Sequence, residues 1–374
     1  MLVARGRVLV ARGASRAAAL TTTANSSLFD KQRSPPLGSW RAAGLATSLF
    51  DKEQETDLFS PPQLLSSRIA VVGAGSVGAA VCYGLQLRQV ASELLVVDAD
   101  PKRAEGEVDD LSDGAFITNS RVRVGTTAEA GQCDIVVITA GAKQREGESR
   151  TELIGRNLTI LKSIFKDLRP TLKPSAKILM VANPCDVLTY FAQKLAHYQL
   201  PKSQVFGSGT FLDTARLREF IAKRAGVAET AVHVYALGEH GDSQVVAWSS
   251  ATIAGIKLVD MPEFADPAVR QELAEKTRTR AYDIIAHKGA TYFGVAAVVS
   301  SICQCILLDQ KHIRPLSAFS EEYQLCTSQL CVLGSKGVHR ILPLSLDEAE
   351  QAAMQASADS LRAIIDQYEP TLHE

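Results

Sequence analysis

The sequence predicts an α/β fold, a doubly wound parallel sheet followed by an α+β half. Three observations predict it. Short apolar runs alternate with helical stretches from Arg68 to about Asn183. A glycine turn, "GAGSVG" from Gly73 to Gly78, joins the first apolar run to the first helical stretch. Beyond Asn183 the texture becomes mixed, with strand-like runs and long helical stretches interleaved.

The elements follow in order. Arg68–Val72 reads as a short strand, and the stretch after the glycine turn as a helix to about Gln89. Glu93–Val97, Val122–Gly125, Ile135–Thr139 and Ile178–Ala182 are further apolar runs of strand length, with helical segments such as Thr151–Leu168 between them. Strands that alternate with helices run parallel, with right-handed crossovers. In the second half, helices are expected at Thr210–Ala225, Pro267–His287, Thr291–Leu308 and Leu346–Tyr368. Strands are expected near Val232–Leu237, Thr252–Leu258, Pro315–Phe319, Leu330–Leu333 and Arg340–Pro343.

Composition narrows the class. The 374 residues suffice for one large or two ordinary domains, and 46% hydrophobic with 22% charged residues is a globular balance. A net charge of −1 argues against nucleic acid as the main partner, because phosphate binding needs a basic surplus. No apolar run reaches the roughly 18 residues of a membrane span. The seven cysteines are odd in number and form no C-x-x-C pair, so they read as buried free thiols, with neither disulfides nor a metal site expected.

Residues 1–66 read as a disordered or targeting extension. Arg5, Arg7, Arg12 and Arg16 precede any acid, and Ala, Ser and Thr fill much of the rest, which is the composition of an organelle transit peptide. The expected location is therefore cytoplasmic or mitochondrial. Ser27–Lys31 recurs as Ser48–Lys52, two copies being too few for a repeat fold.

The glycine turn has the context that gives it meaning. A strand precedes it, a helix follows, and Asp98 stands 20 residues beyond Gly78 at the end of the second strand. Gly73 allows the tight turn, Gly75 lets a pyrophosphate approach the backbone, and Gly78 lets helix pack on strand. The helix amino end offers free N–H groups and a positive dipole to phosphates. Asp98 can accept from ribose hydroxyls and repels a 2′-phosphate, so NAD is favoured over NADP. This marks residues 67–208 as a Rossmann-type dinucleotide-binding domain and 209–374 as an α+β catalytic domain.

"GEHGDS", Gly238–Ser243, puts His240 on a glycine-bounded turn. Alone it could be a surface-turn histidine. Asp213 opens a helix with Arg216 three residues on, which alone could be a helix-start acid with a satisfying partner. Taken together beside a dinucleotide motif, these residues describe a hydride-transfer site.

"VVGAGSVG", "VVITAGAKQREGESR", "VANPCDVLTY", "GSGTFLDTARLR", "LGEHGDS" and "KGATYFG" resemble the L-lactate/malate dehydrogenase family along residues 67–370, with the loop and "LDTARLR" closest to lactate dehydrogenases. The resemblance implies a glycolytic or fermentative enzyme interconverting pyruvate and L-lactate with NAD. His240 would be the acid/base, oriented by Asp213. Arg216 would clamp the substrate carboxylate, and Arg150, on a closing loop, would polarise the ketone. Asn183 and Thr291 would line the substrate pocket. Gly73, Gly75, Ser76, Val77, Gly78, Asp98, Thr139, Ala140, Gly141 and Asn183 would contact the cofactor. The family is usually tetrameric, so a homo-oligomer is expected.

Gln144, six residues before Arg150, matches the family's specificity position. Malate-type members carry Arg there, to pair a second substrate carboxylate. A neutral amide leaves that carboxylate uncompensated in a closed site, at a cost on the order of several kcal/mol. Pyruvate is thus expected over oxaloacetate. The neighbouring Arg145 keeps a malate or broader 2-hydroxyacid dehydrogenase as an alternative, and a non-catalytic NAD-binding protein is the alternative from another class.

Overall fold

The structure, a computed structural model, describes residues 66–142 and 150–373. The extension through residue 65, Gln144 and its neighbours on the loop, and the side chains of Arg150 and Thr151 lie outside the described residues.

The first half alternates strand and helix throughout: β1 (Arg68–Val72), α1 (Ser76–Leu87), β2 (Glu93–Val97), α2 (Pro101–Asp113), β3 (Arg121–Val124), α3 (Thr127–Ala130), β4 (Ile135–Ile138), α4 (Arg150–Leu168), β5 (Lys177–Met180), α5 (Cys185–Ala196) and β6 (Val205–Gly207). The second half begins with α6 (Phe211–Ala225), followed by the short strands β7 (Val232–His233), β8 (Ala236–Leu237), β9 (Val245–Val246), β10 (Thr252–Ile253) and β11 (Ile256–Lys257). Then come α7 (Pro267–Lys288), α8 (Phe293–Leu307), β12 (His312–Ser320), β13 (Leu325–Gly334), β14 (Gly337–Ile341) and α9 (Glu348–Tyr368).

The parallel strands lie in the order β3-β2-β1-β4-β5-β6, the arrangement of a doubly wound dinucleotide fold. Their sequences explain it. All four residues of β4 are fully buried, and Ile69–Val72 of β1 are at most 4% exposed. Strands apolar on both faces need helices on both sides, which parallel crossovers supply. Each such Val or Ile gains roughly 1.5–3 kcal/mol over an exposed position. The Val205-Phe-Gly207 run of β6, too short to read as a strand in the sequence, completes the set.

The second half departs from expectation in three places. Val232–Leu237 is not one strand: β7 pairs with β10, whereas β8 pairs with β9, because the Thr214 hydroxyl of α6 captures the Ala236 N–H at 2.9 Å. Thr252–Leu258 is a tight hairpin, in which Ala254 and Gly255 both take positive φ (51° and 83°) and pair Ile253 with Ile256. The three carboxyl-terminal strands are longer than their apolar runs. They form an antiparallel meander whose β12 meets β6 at Ser317↔Gly207, so the nine-stranded sheet crosses the expected boundary near residue 208. All seven cysteines are buried free thiols.

Candidate active site

The glycine turn is built as its residue types require. Gly73 has φ +109°, and a Cβ on it would sit 2.5 Å from the Ala140 nitrogen. A Cβ on Gly78 would lie 1.8 Å from the Gly73 oxygen, so α1 can seat on the turn only without one. Gly75 differs, because nothing lies within 4 Å of its Cβ direction. It opens outward at the start of α1, which has no side-chain cap and no acid in its first turn. The first N–H groups of a helix have no intrahelical partner, so Ser76 and Val77 stand at an anion-binding end.

Asp98 closes the turn from the side. Its Oδ2 accepts from the Ala74 N–H at 2.6 Å and its Oδ1 from the Asp100 N–H at 2.9 Å. A crevice of about 660 Å³ runs from Val97 and Asp98 to Val124–Ala128. An uncapped helix start, an open glycine and an acid beside a crevice fit an NAD molecule. The Thr139 hydroxyl is within hydrogen-bond distance of the Gly73 and Val72 carbonyls (2.8 and 3.1 Å), and the Ala140 N–H bonds Val72, so both residues brace the turn from β4.

From β4 a series of contacts leads to His240. A Cβ on Gly141 would pack on Ala182 and Asn157. Asn157 of α4, 3% exposed, accepts from the Ala142 N–H and donates to the Asn183 carbonyl, both at 2.7 Å. Asn183 itself is exposed, at the end of β5. Three residues on, in the first turn of α5, buried Asp186 accepts from the His240 N–H at 2.8 Å.

The His240 turn is held on both flanks. Gly238, at φ +80°, exchanges backbone hydrogen bonds with Ser328 of β13, and the Glu239 N–H donates to Ser357 of α9. The imidazole Nδ1 then meets Asp213 Oδ2 at 2.6 Å, and Arg216 Nη1 lies 3.4 Å from Asp213 Oδ1. Asp213 keeps only 5% of its side chain open against 26% for His240, so the carboxylate is shielded while the ring can be reached. The ring's Nε2 bonds no other described residue.

Electrostatics follow from this packing. Burial pulls His240 down, but the charge and hydrogen bond of Asp213, with Asp186 behind it, outweigh burial and raise its pKa to about 9. Burial alone would raise Asp213, yet His240 and Arg216 hold it below the usual carboxylate range. Burial also lowers Arg216, opposed by Asp213. At neutral pH the array is an imidazolium with the Asp213 carboxylate on Nδ1, the Asp186 carboxylate on the His240 main-chain N–H, and the Arg216 guanidinium beside Asp213.

The structure therefore joins His240, Asp213, Arg216 and Asn183 to the glycine turn through Ala140, Asn157 and Asp186. Arg150 opens α4. Thr291 lies between α7 and α8, with no hydrogen bond to the cluster. Asn157 and Asp186 were not among the candidates in the sequence. Their signals were a polar residue inside the apolar face Ile154, Leu158, Leu161, and an acid just past a strand end in "NPCD".

The family model for the lactate/malate dehydrogenase NAD binding domain matches residues 67–207, and that for the alpha/beta C-terminal domain matches 210–371. The chain belongs to the lactate/malate dehydrogenase family. L-lactate dehydrogenase A of Rhizopus oryzae is 43% identical over 301 residues, 80% of this chain and 93% of that protein. An L-lactate dehydrogenase of Synechococcus sp. (strain JA-3-3Ab) is 42% identical over 79% of this chain and 98% of its own. The crystal structure of the minor L-lactate dehydrogenase of Enterococcus mundtii superposes with a TM-score of 0.77 at 34% identity, covering 81% of this chain and 98% of that one. As in the family, NAD is the cofactor, and the fold is a Rossmann-type sheet followed by an α/β region.

Proposed function

We propose that the protein reversibly reduces pyruvate to L-lactate with NADH, and that the His240–Asp213 pair carries the proton while Arg216 beside it holds the substrate carboxylate. The single supporting observation is the 2.6 Å contact of Asp213 with Nδ1, which leaves Nε2 for substrate. NAD, when bound at Gly73–Gly78 and Asp98, supplies the hydride chemistry.

The chain's residues do the rest. With a pKa near 9, His240 is protonated at neutral pH and can give its Nε2 proton to the C2 oxygen of pyruvate. In the reverse direction it takes that proton from lactate. Asp213 stays ionised, fixes the ring orientation and stabilises the imidazolium. Arg216 makes one long contact with Asp213, so its fork can pair a carboxylate on two N–H groups. Arg150 polarises the ketone, and Asn183 and Thr291 line the pocket. Gln144 accepts a methyl group where a second carboxylate would need a cation. Association of several copies belongs to the same reading and is supported by exposed apolar Tyr83 and Leu87 on α1, Tyr282 and Ile285 on α7, and Phe293 on α8. The same reading includes an organelle address in the arginine-bearing amino-terminal segment, which mass spectrometry of the mature amino terminus tests.

The deciding experiment compares NADH oxidation with pyruvate and with oxaloacetate, for the unsubstituted enzyme and for Gln144→Arg. Pyruvate is preferred by the former. The substitution moves preference toward oxaloacetate by roughly tenfold or more, a ratio set by pairing one buried charge. A native preference for oxaloacetate overturns the assignment.

A further inference from the structure

Asp186 is a buried carboxylate that the reaction as described does not use. It stands in the first turn of α5, 1% exposed, with Oδ2 on the His240 main-chain N–H at 2.8 Å. Its Oδ1 and the Ser317 hydroxyl of β12 are both buried and have no partner of good hydrogen-bond geometry, yet the hydroxyl lies close enough to favour the ionised acid. The charged and titratable groups around the pair come from several elements. Asp213 and Arg216 reach His240 from α6, Glu239 faces Asp186 from the His240 turn, and Cys185 and Cys326 flank Asp186 from α5 and β13. Arg280 of α7 acts on Arg216.

Satisfying one N–H needs only a neutral acceptor. A buried acid costs more than an amide, because burial disfavours its charge and pushes it up to about 6. Above that pH it is ionised, and its charge, held at the His240 main-chain N–H while Asp213 holds Nδ1, favours the imidazolium.

We propose that Asp186 is a positioning residue for His240: it pins the main chain of the catalytic turn, and its negative charge, added to that of Asp213, keeps the ring protonated before substrate arrives. The proposal rests on His240 being the acid/base of pyruvate reduction.

Asp186→Asn keeps an acceptor for the His240 N–H and removes the charge, whereas Asp186→Leu removes both. Each is tested in the full chain by the pH profile of kcat/KM for pyruvate, by kcat and KM separately, and by NMR titration of the His240 ring without substrate, assigned by its loss in His240→Asn. For Asp186→Asn, the alkaline limb and the ring titration both move down by roughly half a pH unit or more, as removing a nearby buried charge requires. KM stays near its original value because Arg216 is untouched. Asp186→Leu also loses kcat by roughly tenfold or more, as the unpinned ring strays from its proton-transfer geometry. If Asp186→Asn leaves limb and ring titration unmoved and only lowers the melting temperature, the residue is structural and the proposal is overturned. That variant decides the matter even if Asp186→Leu does not fold. Should the unsubstituted enzyme fail to turn over pyruvate, the reaction assignment falls, while the ring titration still decides what Asp186 does to His240.

Discussion

His240 sets two expectations at the scale of single residues. If His240 is the acid/base as proposed, replacing it with Asn removes the group that exchanges a proton with substrate and should lower kcat by roughly 10²–10⁴-fold, the range of positioned acid/base catalysis. Steady-state assays with NADH and pyruvate check this, and full residual turnover would mean the acid/base lies elsewhere. The second expectation concerns stability. The folded-state pKa of His240, about 9, exceeds its ordinary 6.5, so its contribution is fully present below pH 6.5 and is lost as pH rises through about 9. The melting temperature should therefore fall across that window, and His240→Asn should flatten the fall. Asp213 has the opposite sign: held low, it stabilises above its ordinary carboxylate range and loses that contribution on acidification. His240, Asp213 and Arg216 could be picked out as candidates in the sequence because their short motifs stand beside a dinucleotide turn and resemble those of a known family, and the structure brings the three together. Asp186 was not, since nothing in "NPCD" says which backbone N–H its carboxylate will meet 54 residues away.

Among elements, the informative one is α4. Asn157 is buried on it and ties the loop after β4 to the loop after β5 through two 2.7 Å hydrogen bonds. Asn157→Leu has the same branched shape, with two bulkier methyl groups, but neither donor nor acceptor. It should orphan the Ala142 N–H, cost about 1–3 kcal/mol of stability, and raise KM for pyruvate by shifting Asn183. Denaturant unfolding and the KM measurement check the two effects separately, and an unchanged KM would confine Asn157 to stability. The buried strands of the first half other than β6 were readable because apolar period and length are local properties, whereas the three-residue β6 was too short. The β10–β11 hairpin was not, because its turn residue is Ala254, which takes φ 51° without the usual Asn or Asp signature. The division of β7 from β8 depended on a hydroxyl from α6, which no window of neighbouring residues contains.

For the whole molecule, cofactor binding is the property to test. A ligand that binds only the folded state stabilises it by mass action, about 2.7 kcal/mol at a hundred times its dissociation constant. NADH should thus raise the melting temperature. NADPH should do so much less at equal concentration, because Asp98, at the edge of the crevice, repels a 2′-phosphate. Equal shifts with both nucleotides would remove Asp98 as the discriminating residue.

The sequence by itself determined the alternation of strands and helices and the glycine turn with its acid, because each unit is written in spacing over about 25 residues, the span of one strand–turn–helix unit; the candidate reaction residues came from motifs that resemble a known family. Only the tertiary structure decided that β12–β14 extend the same sheet through Ser317↔Gly207, and that α5, α6 and the His240 turn converge. Those contacts join residues far apart in the chain, and they form only where a whole buried surface offsets the entropy lost in ordering the segments between them.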